Sequence, residues 1–418
     1  MTFQAFTGKQ YLQIDIANSY GLDKKSWDER IAWFEANVLP VIHDDPEIHK
    51  LMQKADQPAL LFAGVESYRN MLAGKPDGYP INLDATSSGI QLLTVMASDR
   101  RSAMLCNVID TGNRENAYMR LYNSMMERLA AQGLVDEENS GRLSADDCKQ
   151  AIMTAFYSSK AEPKRIFGEG PVLDTFYETL AEEAPGAWEI TEAMLAIWDD
   201  KAYENSWIMP DNFHVRVKVM DTVYDSVRFD GKPHEVSYSV NQPIQKGRSL
   251  GANMTHSVDG MISREITRRC TTDRTTISAL AYEAFERNHP GLNRKQDDEL
   301  LQLVYHYRES GFMSTRMFEY LDEHNGGILT LEEQAVLKEI IDSMPPKPFN
   351  VLIVHDCFRV LPNHGNAIRK MYNRLLMEIA RSNLLSFLMT QIVGRLITIS
   401  KLDPDLHTEI MEANYALS

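Results

Sequence analysis

The segment Val351-Leu352-Ile353-Val354-His355-Asp356-Cys357-Phe358-Arg359-Val360 places one carboxylate inside a run of β-branched and aliphatic residues. Such a run predicts a buried strand. A carboxylate there is costly to desolvate unless a metal ion, an arginine or a second carboxylate that shares a cation compensates its charge. Asp356 is therefore the first candidate functional residue.

A second segment has the same character: Tyr79-Pro80-Ile81-Asn82-Leu83-Asp84-Ala85-Thr86-Ser87-Ser88-Gly89-Ile90-Gln91. Asp84 ends a short predicted strand, and a helix begins directly after it. Mg²⁺ binds one or two carboxylates together with substrate phosphates, so two such aspartates could hold the ions that phosphoryl transfer needs. Taken alone, Asp84 is more commonly a helix cap or a turn residue, and the metal hypothesis depends on the pair.

Composition limits the class of protein. The chain has 418 residues, enough for two or three core-forming units. Its start lacks the basic and apolar parts of a signal peptide, and no apolar run reaches membrane length. The four cysteines show no metal-like spacing, so we expect a reducing, cytoplasmic setting.

The net charge of -16 argues at first against a nucleic-acid partner. The charges are unevenly distributed, however. Basic residues cluster at 160–165, 246–248, 264–274 and 369–381, and acidic residues at 135–147 and 174–204. This asymmetry fits one basic cleft in an acidic surface, although solvated helix faces explain any single cluster equally well.

A predicted helix begins at Ser144, which is a good N-cap. Lys149, Met153 and Tyr157 follow at intervals of four residues and fall on one face of it. The lysine could meet a triphosphate while the tyrosine lies near its sugar. On spacing alone, an amphipathic helix whose lysine extends into solvent is favoured.

Alternating residues from 212 to 241, with a turn signal at Asp230-Gly231, predict a β-hairpin with basic side chains on one face. It could reach into a groove, or it could be a half-solvated ribbon. Residues 271–345 predict a helical, acidic insertion. Within it, residues 322–333 are similar to a calcium loop but lack carboxylates at two ligand positions, so we expect a turn and a capping box from Thr330 to Glu333.

Three motifs resemble a known family. Asp-x-x-x-Ser-Gly-Ile-Gln at 84–91, Lys-x-x-x-Met-x-x-x-Tyr at 149–157 and His-Asp-x-Phe at 355–358 resemble motifs A, B and C of the single-subunit, bacteriophage-type RNA polymerases. Residues 16–24, 210–213 and 256–260 are similar to further family segments in the same order. Within the family, the chain most resembles the larger, catalytic subunit of the heterodimeric RNA polymerase II of the N-four-like phages (Enquatrovirus).

The resemblance implies an α+β fold: the palm and fingers of a right-hand polymerase, mostly helical around a small antiparallel palm sheet, with a β-hairpin in place of the specificity loop. The implied units are a helical palm-associated segment at 1–75, palm with motif A at 76–100, fingers at 101–258 with the hairpin at 211–247, and palm with motif C at 259–418 around the insertion.

The resemblance also implies site residues. Asp84 and Asp356, with the Ala85 carbonyl, would hold two Mg²⁺ ions, Lys149 would stabilise triphosphate charge, and Tyr157 would help to select ribonucleotides. The remaining substrate-binding candidates are Lys24, Tyr118, Arg142, Met153, His256 and His355. The family arginine one turn before Lys149 is replaced by Ala145, and a family glycine after the motif B tyrosine is replaced by Ser158.

The implied function is DNA-directed RNA synthesis from ribonucleoside triphosphates. Nothing before Asp84 resembles the family's thumb or N-terminal domain, so we expect a second polymerase subunit that supplies them. The other expected partners are a single-stranded or opened DNA template and the RNA product, and no membrane. A single-stranded-DNA-binding or promoter-recruiting factor is left open. The implied location is the cytoplasm of an infected bacterium.

Two alternatives remain. A DNA polymerase of the same superfamily would carry a glutamate after motif A to exclude the ribose 2′-hydroxyl, where this chain has Thr86, Ser87, Ser88 and Gly89. A non-catalytic, polymerase-like structural subunit would have no physical need for both aspartates together with Lys149 and Tyr157.

Overall fold

The computed structural model describes residues 2–135, 143–245, 247, 249–287 and 294–418. Helices dominate, and the strands form small antiparallel sheets. The α+β class predicted from the sequence is therefore confirmed. Within these ranges, no helix combines the length and apolar character needed to cross a membrane.

The helices fall into three groups along the chain. Before the first strand come α1 (Gly8–Ala17), α2 (Trp27–Asn37), α3 (Asp45–Met52) and α4 (Pro58–Leu72). Between the first and second strands come α5 (Ser88–Ala97), α6 (Arg100–Leu105), α7 (Ala117–Ala131), α8 (Ala145–Phe156), α9 (Ala161–Phe167), α10 (Pro171–Glu183) and α11 (Pro185–Ala196). After the fifth strand come α12 (Ser249–Thr271), α13 (Arg274–Tyr282), α14 (Arg294–Ser310), α15 (Leu331–Ser343), α16 (Gly365–Arg381) and α17 (Leu384–Val393).

The central sheet joins distant parts of the chain. It is antiparallel with the order β1-β7-β6, and its strands are β1 (Ile81–Asp84), β6 (Leu352–Val354) and β7 (Cys357–Val360). Ile81 pairs with Val360, and Asp84 pairs with Cys357. This register brings the ends of the two predicted aspartate segments together.

The prediction of one continuous buried strand from Val351 to Val360 is wrong. The segment is a tight hairpin, and His355 and Asp356 form its turn. His355 has a φ of 56°, the left-handed conformation that reverses the chain. Leu352 and Val354 are 59% and 60% exposed, so β6 is an edge strand and not a core strand. The turn was not predicted, because neither of its residues is the Gly or Asn that usually marks a two-residue hairpin turn.

Helix α5 lies at the centre of the larger core, and all its residues are buried. Its polar side chains are satisfied inside: the Tyr372 hydroxyl on α16 donates to Gln91 Oε1 at 2.8 Å, and Ser98 Oγ donates to the Ala380 carbonyl at 3.0 Å. Because α5 begins directly after β1, this packing fixes the position of Asp84 relative to the core.

The predicted hairpin at 211–247 is two separate ribbons. The strand β3 (His214–Lys218) pairs with β2 (Glu204–Ile208), which lies before the predicted hairpin. The strands β4 (Met220–Phe229) and β5 (Lys232–Asn241) pair with each other around the predicted Asp230-Gly231 turn. Trp207 anchors β2 to the core. Its ring is buried, and its Nε1 donates to Ser257 Oγ at 3.1 Å.

The insertion, residues 271–345, has a hydrophobic core of its own. Buried side chains from α13, α14 and α15 form it, among them Leu300, Leu303 and Leu337. The Thr330 hydroxyl accepts from the Glu333 N–H and the Glu333 carboxylate accepts from the Thr330 N–H, so the predicted capping box is confirmed. The predicted turn precedes it, at residues 323–325.

Candidate functional site

The two aspartates meet at one end of the central sheet. Asp84 is the last residue of β1, Asp356 lies in the β6–β7 turn, and the Ala85 N–H donates to the Asp356 carbonyl at 3.1 Å. Both aspartates line a single cleft of about 720 Å³. The sequence prediction that two strand ends bring these carboxylates together is therefore confirmed in its geometry.

The same cleft contains nearly every residue that the sequence analysis selected. Besides Asp84 and Asp356, it is lined by Lys24, Ala85, Tyr118, Lys149, Met153, Tyr157, His256 and His355. These residues lie as far apart as 24 and 356 in the sequence, so the fold brings them together. Arg142 lies outside the described residues.

Asp84 and Asp356 are close enough for their charges to interact. Desolvation raises the pKa of the Asp84 carboxyl, the Cys357 thiol hydrogen bond opposes this, and the negative charge of Asp356 raises the pKa further. Asp356 Oδ1 lies 3.2 Å from His355 Nδ1. A cation shared by the two carboxylates would offset the effect of the Asp356 charge on Asp84.

Lys149 reaches the cleft from α8, one turn after the start of that helix. Its ammonium group lies over the Tyr118 ring, 5.7 Å from the centroid. Burial raises the pKa of the Tyr118 hydroxyl, and a hydrogen bond with Ser87 opposes the shift. Met153 lines the cleft on the same face of α8, as the predicted periodicity requires. Lys149 is at the same time exposed to solvent.

Aromatic rings form a continuous wall. The Tyr157 and His256 rings stack with centroids 5.1 Å apart and planes 13° apart, and His256 meets His355 edge-on at 5.7 Å. Burial raises the pKa of Tyr157 to about 12, so this hydroxyl is a proton donor at neutral pH. Burial and the neighbouring His355 lower the pKa of His256, which favours its neutral, stackable form.

The N-terminus of α5 faces the cleft. Ser87, Ser88, Gly89 and Ile90 line it, and the N-cap residue Ser87 makes no side-chain hydrogen bond to the helix. The first N–H groups of a helix have no intrahelical acceptor and carry partial positive charge, which favours anions. Beside the carboxylate pair, the cleft therefore offers a backbone site for phosphate oxygens.

Three cleft or near-cleft residues were missed. Asp23 and Arg114 line the cleft. Asp259 has its pKa raised to about 6 by burial, with His355 opposing and Asp356 adding to the shift, which places it beside the turn. Asp259 lies within the quoted segment 256–260 and could have been found there. Arg114 follows a loop without motif or periodicity, so the sequence carried no signal for it.

The donor set suits Mg²⁺. Within the described part of the chain, no group of three or more His, Cys, Asp and Glu side chains is arranged to hold a metal ion. A zinc or calcium site would need such a group, whereas Mg²⁺ binds through one or two carboxylates, keeps waters and takes substrate phosphates. Asp84 and Asp356 supply that minimal set.

Part of the chain is similar to known proteins. Residues 5–163 match the family model described as DNA-dependent RNA polymerase. The chain is 30% identical over 165 residues to a "Probable DNA-directed RNA polymerase" of Neurospora crassa, covering 36% of this chain and 18% of that protein. It is 28% identical over 172 residues to a "DNA-directed RNA polymerase" of Pseudomonas phage phiKMV, covering 36% of this chain and 21% of that protein.

The chain thus spans about one fifth of the length of these curated relatives. The matched residues include Asp84, Lys149 and Tyr157 but stop before His256 and Asp356. The fold nevertheless brings these last two residues into the same cleft. Over residues 5–163, which carry one carboxylate of the pair and the Lys149 helix, the chain matches the DNA-dependent RNA polymerase family.

Proposed function

We propose that this chain is the catalytic part of a DNA-directed RNA polymerase, which transfers nucleotides from ribonucleoside triphosphates to an RNA 3′ end on a DNA template. The observation that carries the proposal is the union of Asp84, Asp356, Lys149 and Tyr157 in one cleft. The family match of residues 5–163 supports it for the part that holds three of these residues.

Asp84 and Asp356 would hold two Mg²⁺ ions, with the Ala85 carbonyl as a further ligand. When bound, such ions lower the pKa of the attacking 3′-hydroxyl and neutralise the charge of the leaving pyrophosphate. The aspartates position that chemistry from a rigid frame, because β1 and β7 pair in fixed register. Desolvation, and after it the charge of Asp356, disfavours the ionised form of Asp84, and a bound cation would offset both effects.

Lys149 and the α5 N-terminus would bind the triphosphate. The ammonium group lies over the Tyr118 ring at the cleft, where it can form a charge-assisted hydrogen bond with an anion. The N–H groups of the first residues of α5, which line the cleft, supply preorganised donors beside Asp84. Positive charge from these two sources stabilises the negative charge that accumulates on the leaving phosphates.

Tyr157 would lie beside the sugar of the incoming nucleotide, and His256, stacked on it, beside the new base pair. The Tyr157 hydroxyl remains protonated at neutral pH and can donate to a 2′-hydroxyl. Gly89 next to it has no side chain that would exclude a ribose. This arrangement favours ribonucleotides and counts against the DNA polymerase alternative.

The chain spans about one fifth of the relatives' length, so the complete enzyme would need further parts. We propose that a second subunit supplies the thumb and N-terminal parts, as in the heterodimeric enzymes of N-four-like phages, and that the enzyme works in the cytoplasm of an infected bacterium. The palm would comprise residues 76–100 and 259–418, and the fingers residues 101–258.

The test is extension of a short RNA primer on single-stranded DNA with Mg²⁺, using the chain alone and with the polypeptide that co-purifies from its source. Asp84→Asn and Asp356→Asn should each lower the rate by at least about a thousandfold, because each removes a metal-binding charge. Asp298→Asn, on the exposed surface of α14, is the matched control. Wild-type rates in either cleft variant would overturn the metal assignment, and no ribonucleotide incorporation would support the structural-subunit alternative.

A further inference from the structure

Arg114 is a half-buried cation that no carboxylate contacts within the described part of the chain. It lies in the loop between α6 and α7 and lines the cleft. Its guanidinium carries five N–H donors, and Nη1 makes a long 3.4 Å contact with the neighbouring Glu115 carbonyl. Among the described residues, its buried Nε has no hydrogen-bond partner and no carboxylate lies within ion-pair distance.

Arg114 lies near a second arginine and near one carboxylate. Burial lowers the pKa of the Arg114 guanidinium, and the Asp23 carboxylate opposes the shift. Burial also lowers the pKa of Arg30, and the charge of Arg114 lowers it further. The two guanidinium groups are therefore close enough for their charges to interact.

Arg30 cannot be the group that serves a ligand. Its Nε donates to the Lys25 carbonyl at 3.0 Å, its Nη2 donates to the Asp23 carbonyl at 2.6 Å, and its plane covers the Trp27 ring at 4.7 Å. It is 0% exposed and is not part of the cleft lining. Of the two arginines, Arg114 is the one that lines the cleft.

The Arg114 backbone is held rigidly relative to Asp84. The Asn107 side chain accepts from the Glu115 N–H at 2.8 Å and donates to the Glu115 carbonyl at 2.9 Å. The same Asn107 amide donates to Thr86 Oγ1 at 3.1 Å, two residues after Asp84. A buried clamp of this kind preorganises the arginine and lowers the entropy lost on binding a ligand.

We propose that Arg114 binds the phosphate groups of the nucleoside triphosphate, or of the pyrophosphate product, in the cleft. The inference rests on the proposed function for the identity of the ligand. A guanidinium binds two phosphate oxygens at once, which a lysine cannot do. Together with Lys24 and Lys149 in the same cleft, Arg114 gives the polyphosphate a planar, two-pronged contact besides two point charges.

The test measures equilibrium binding of inorganic pyrophosphate with Mg²⁺, which needs no catalysis. Arg114→Gln should weaken binding about ten- to a hundredfold, the worth of one or two charge-assisted hydrogen bonds. In primer extension the same variant should raise KM for each ribonucleoside triphosphate by a similar factor, with a smaller change in kcat. Arg120→Gln is the matched control, because Arg120 is 45% exposed, pairs loosely with Glu115 and does not line the cleft.

Arg114→Lys separates binding from folding. It keeps the charge but loses the planar fork, so pyrophosphate affinity should fall between those of the wild-type chain and Arg114→Gln. A merely structural arginine would instead lower the melting temperature in both variants and leave affinity per folded molecule unchanged. If Arg114→Gln does not fold, the lysine variant alone decides, and wild-type affinity in it overturns the inference.

The outcomes distinguish the inference from the function on which it rests. Pyrophosphate binding that depends on Arg114, in a chain that makes no RNA in any preparation, would sustain the inference and overturn the proposed polymerase. RNA synthesis with an Arg114→Gln variant that binds pyrophosphate and triphosphates like the wild-type chain would do the reverse. A wild-type chain that binds no pyrophosphate also overturns the inference.

Discussion

The hydroxyl group of Tyr157 lies against Gly89, so close that a Cβ atom on residue 89 would come within 2.7 Å of the hydroxyl oxygen and 2.9 Å of the ring carbon Cζ. Gly89 has no positive φ, so the glycine is needed here for space and not for backbone conformation. The start of α5 and the end of α8 thus meet at a point where a nucleotide sugar would lie.

Replacing this glycine should change sugar selection. Gly89→Ala would displace the Tyr157 ring from its stack with His256, and we expect kcat/KM for ribonucleotides to fall about tenfold or more. Tyr157→Phe keeps the ring and removes the hydroxyl, so it should lower the preference for ribonucleotides over deoxyribonucleotides by about two- to tenfold. Single-nucleotide extension with both substrates measures the ratio, and a ratio unchanged in Tyr157→Phe would contradict the assigned role.

Ser158, which replaces a glycine of the family that the motifs resemble, has an unfavourable conformation and environment for a serine. It has a φ of 66°, which glycine adopts freely, and its buried hydroxyl has no hydrogen-bond partner among the described residues. We expect Ser158→Gly to raise the free energy of unfolding by about 1 kcal/mol, because relief of strain and desolvation outweighs the added freedom of the unfolded chain. Urea unfolding of the two proteins checks this.

The neighbour of Ser158 provides a sharper version of that test. A Cβ atom on Gly251 in α12 would collide with the Ser158 hydroxyl oxygen. Gly251→Ala alone should therefore destabilise the protein, whereas in the Ser158→Gly background it should be neutral or stabilising, because alanine is the better helix former. Equal effects in both backgrounds would show that the hydroxyl simply rotates away.

The sequence predicted residues whose side-chain types carry chemistry at fixed spacing, and the cleft contains them. It could not predict Arg114, because a loop arginine becomes a candidate only when the fold shows that it lines a cleft and has no ion-pair partner. It also missed the turn at His355, because a left-handed histidine in a run of β-branched residues leaves no local signal. The pairing of β2 with β3 depended on Trp207 packing against α12, which is a tertiary contact.

Asp15 should make stability depend on pH. Burial raises its pKa to about 6, although its carboxylate accepts hydrogen bonds from the Asn82 backbone, the Tyr79 hydroxyl and the Asn82 amide. Between about pH 4 and 6 the folded chain therefore holds a proton that the unfolded chain has lost. Stability is greatest below the unfolded pKa and falls as pH rises through that window, by roughly 3 kcal/mol for this group.

Unfolding free energies measured from pH 4 to 7 check this. Asp15→Asn should remove most of the loss across the window, whatever its stability at pH 7, because it cannot titrate. Asp298→Asn, which is exposed, should retain the wild-type slope. If Asp15→Asn kept that slope as well, the titrating group would lie elsewhere.

Glu265 links the insertion to the larger core, and its removal should separate the two. This carboxylate is fully buried on α12 and accepts from the Thr315 N–H at 3.1 Å and the Thr315 hydroxyl at 2.7 Å, as well as from Arg269 at 3.3 Å. In Glu265→Gln an amide NH2 replaces one of the two oxygens, so either the Thr315 donors at Oε2 or the Ser314 and Arg268 donors at Oε1 lose their acceptor in a buried site. We expect a loss of about 3 kcal/mol in the free energy of docking the insertion.

Because the insertion has its own core, that loss should be local. Hydrogen exchange should accelerate first at residues 311–319, while amides of α14 and α15 around Leu303 and Leu337 remain protected. Glu339→Gln is the control: it breaks a 2.8 Å ion pair with Arg374, but Glu339 is 51% exposed, so the cost should stay below about 1 kcal/mol. If exchange instead rose uniformly in Glu265→Gln, the insertion and the larger core would unfold as one unit, and its role would have to be sought in the stability of the cleft itself.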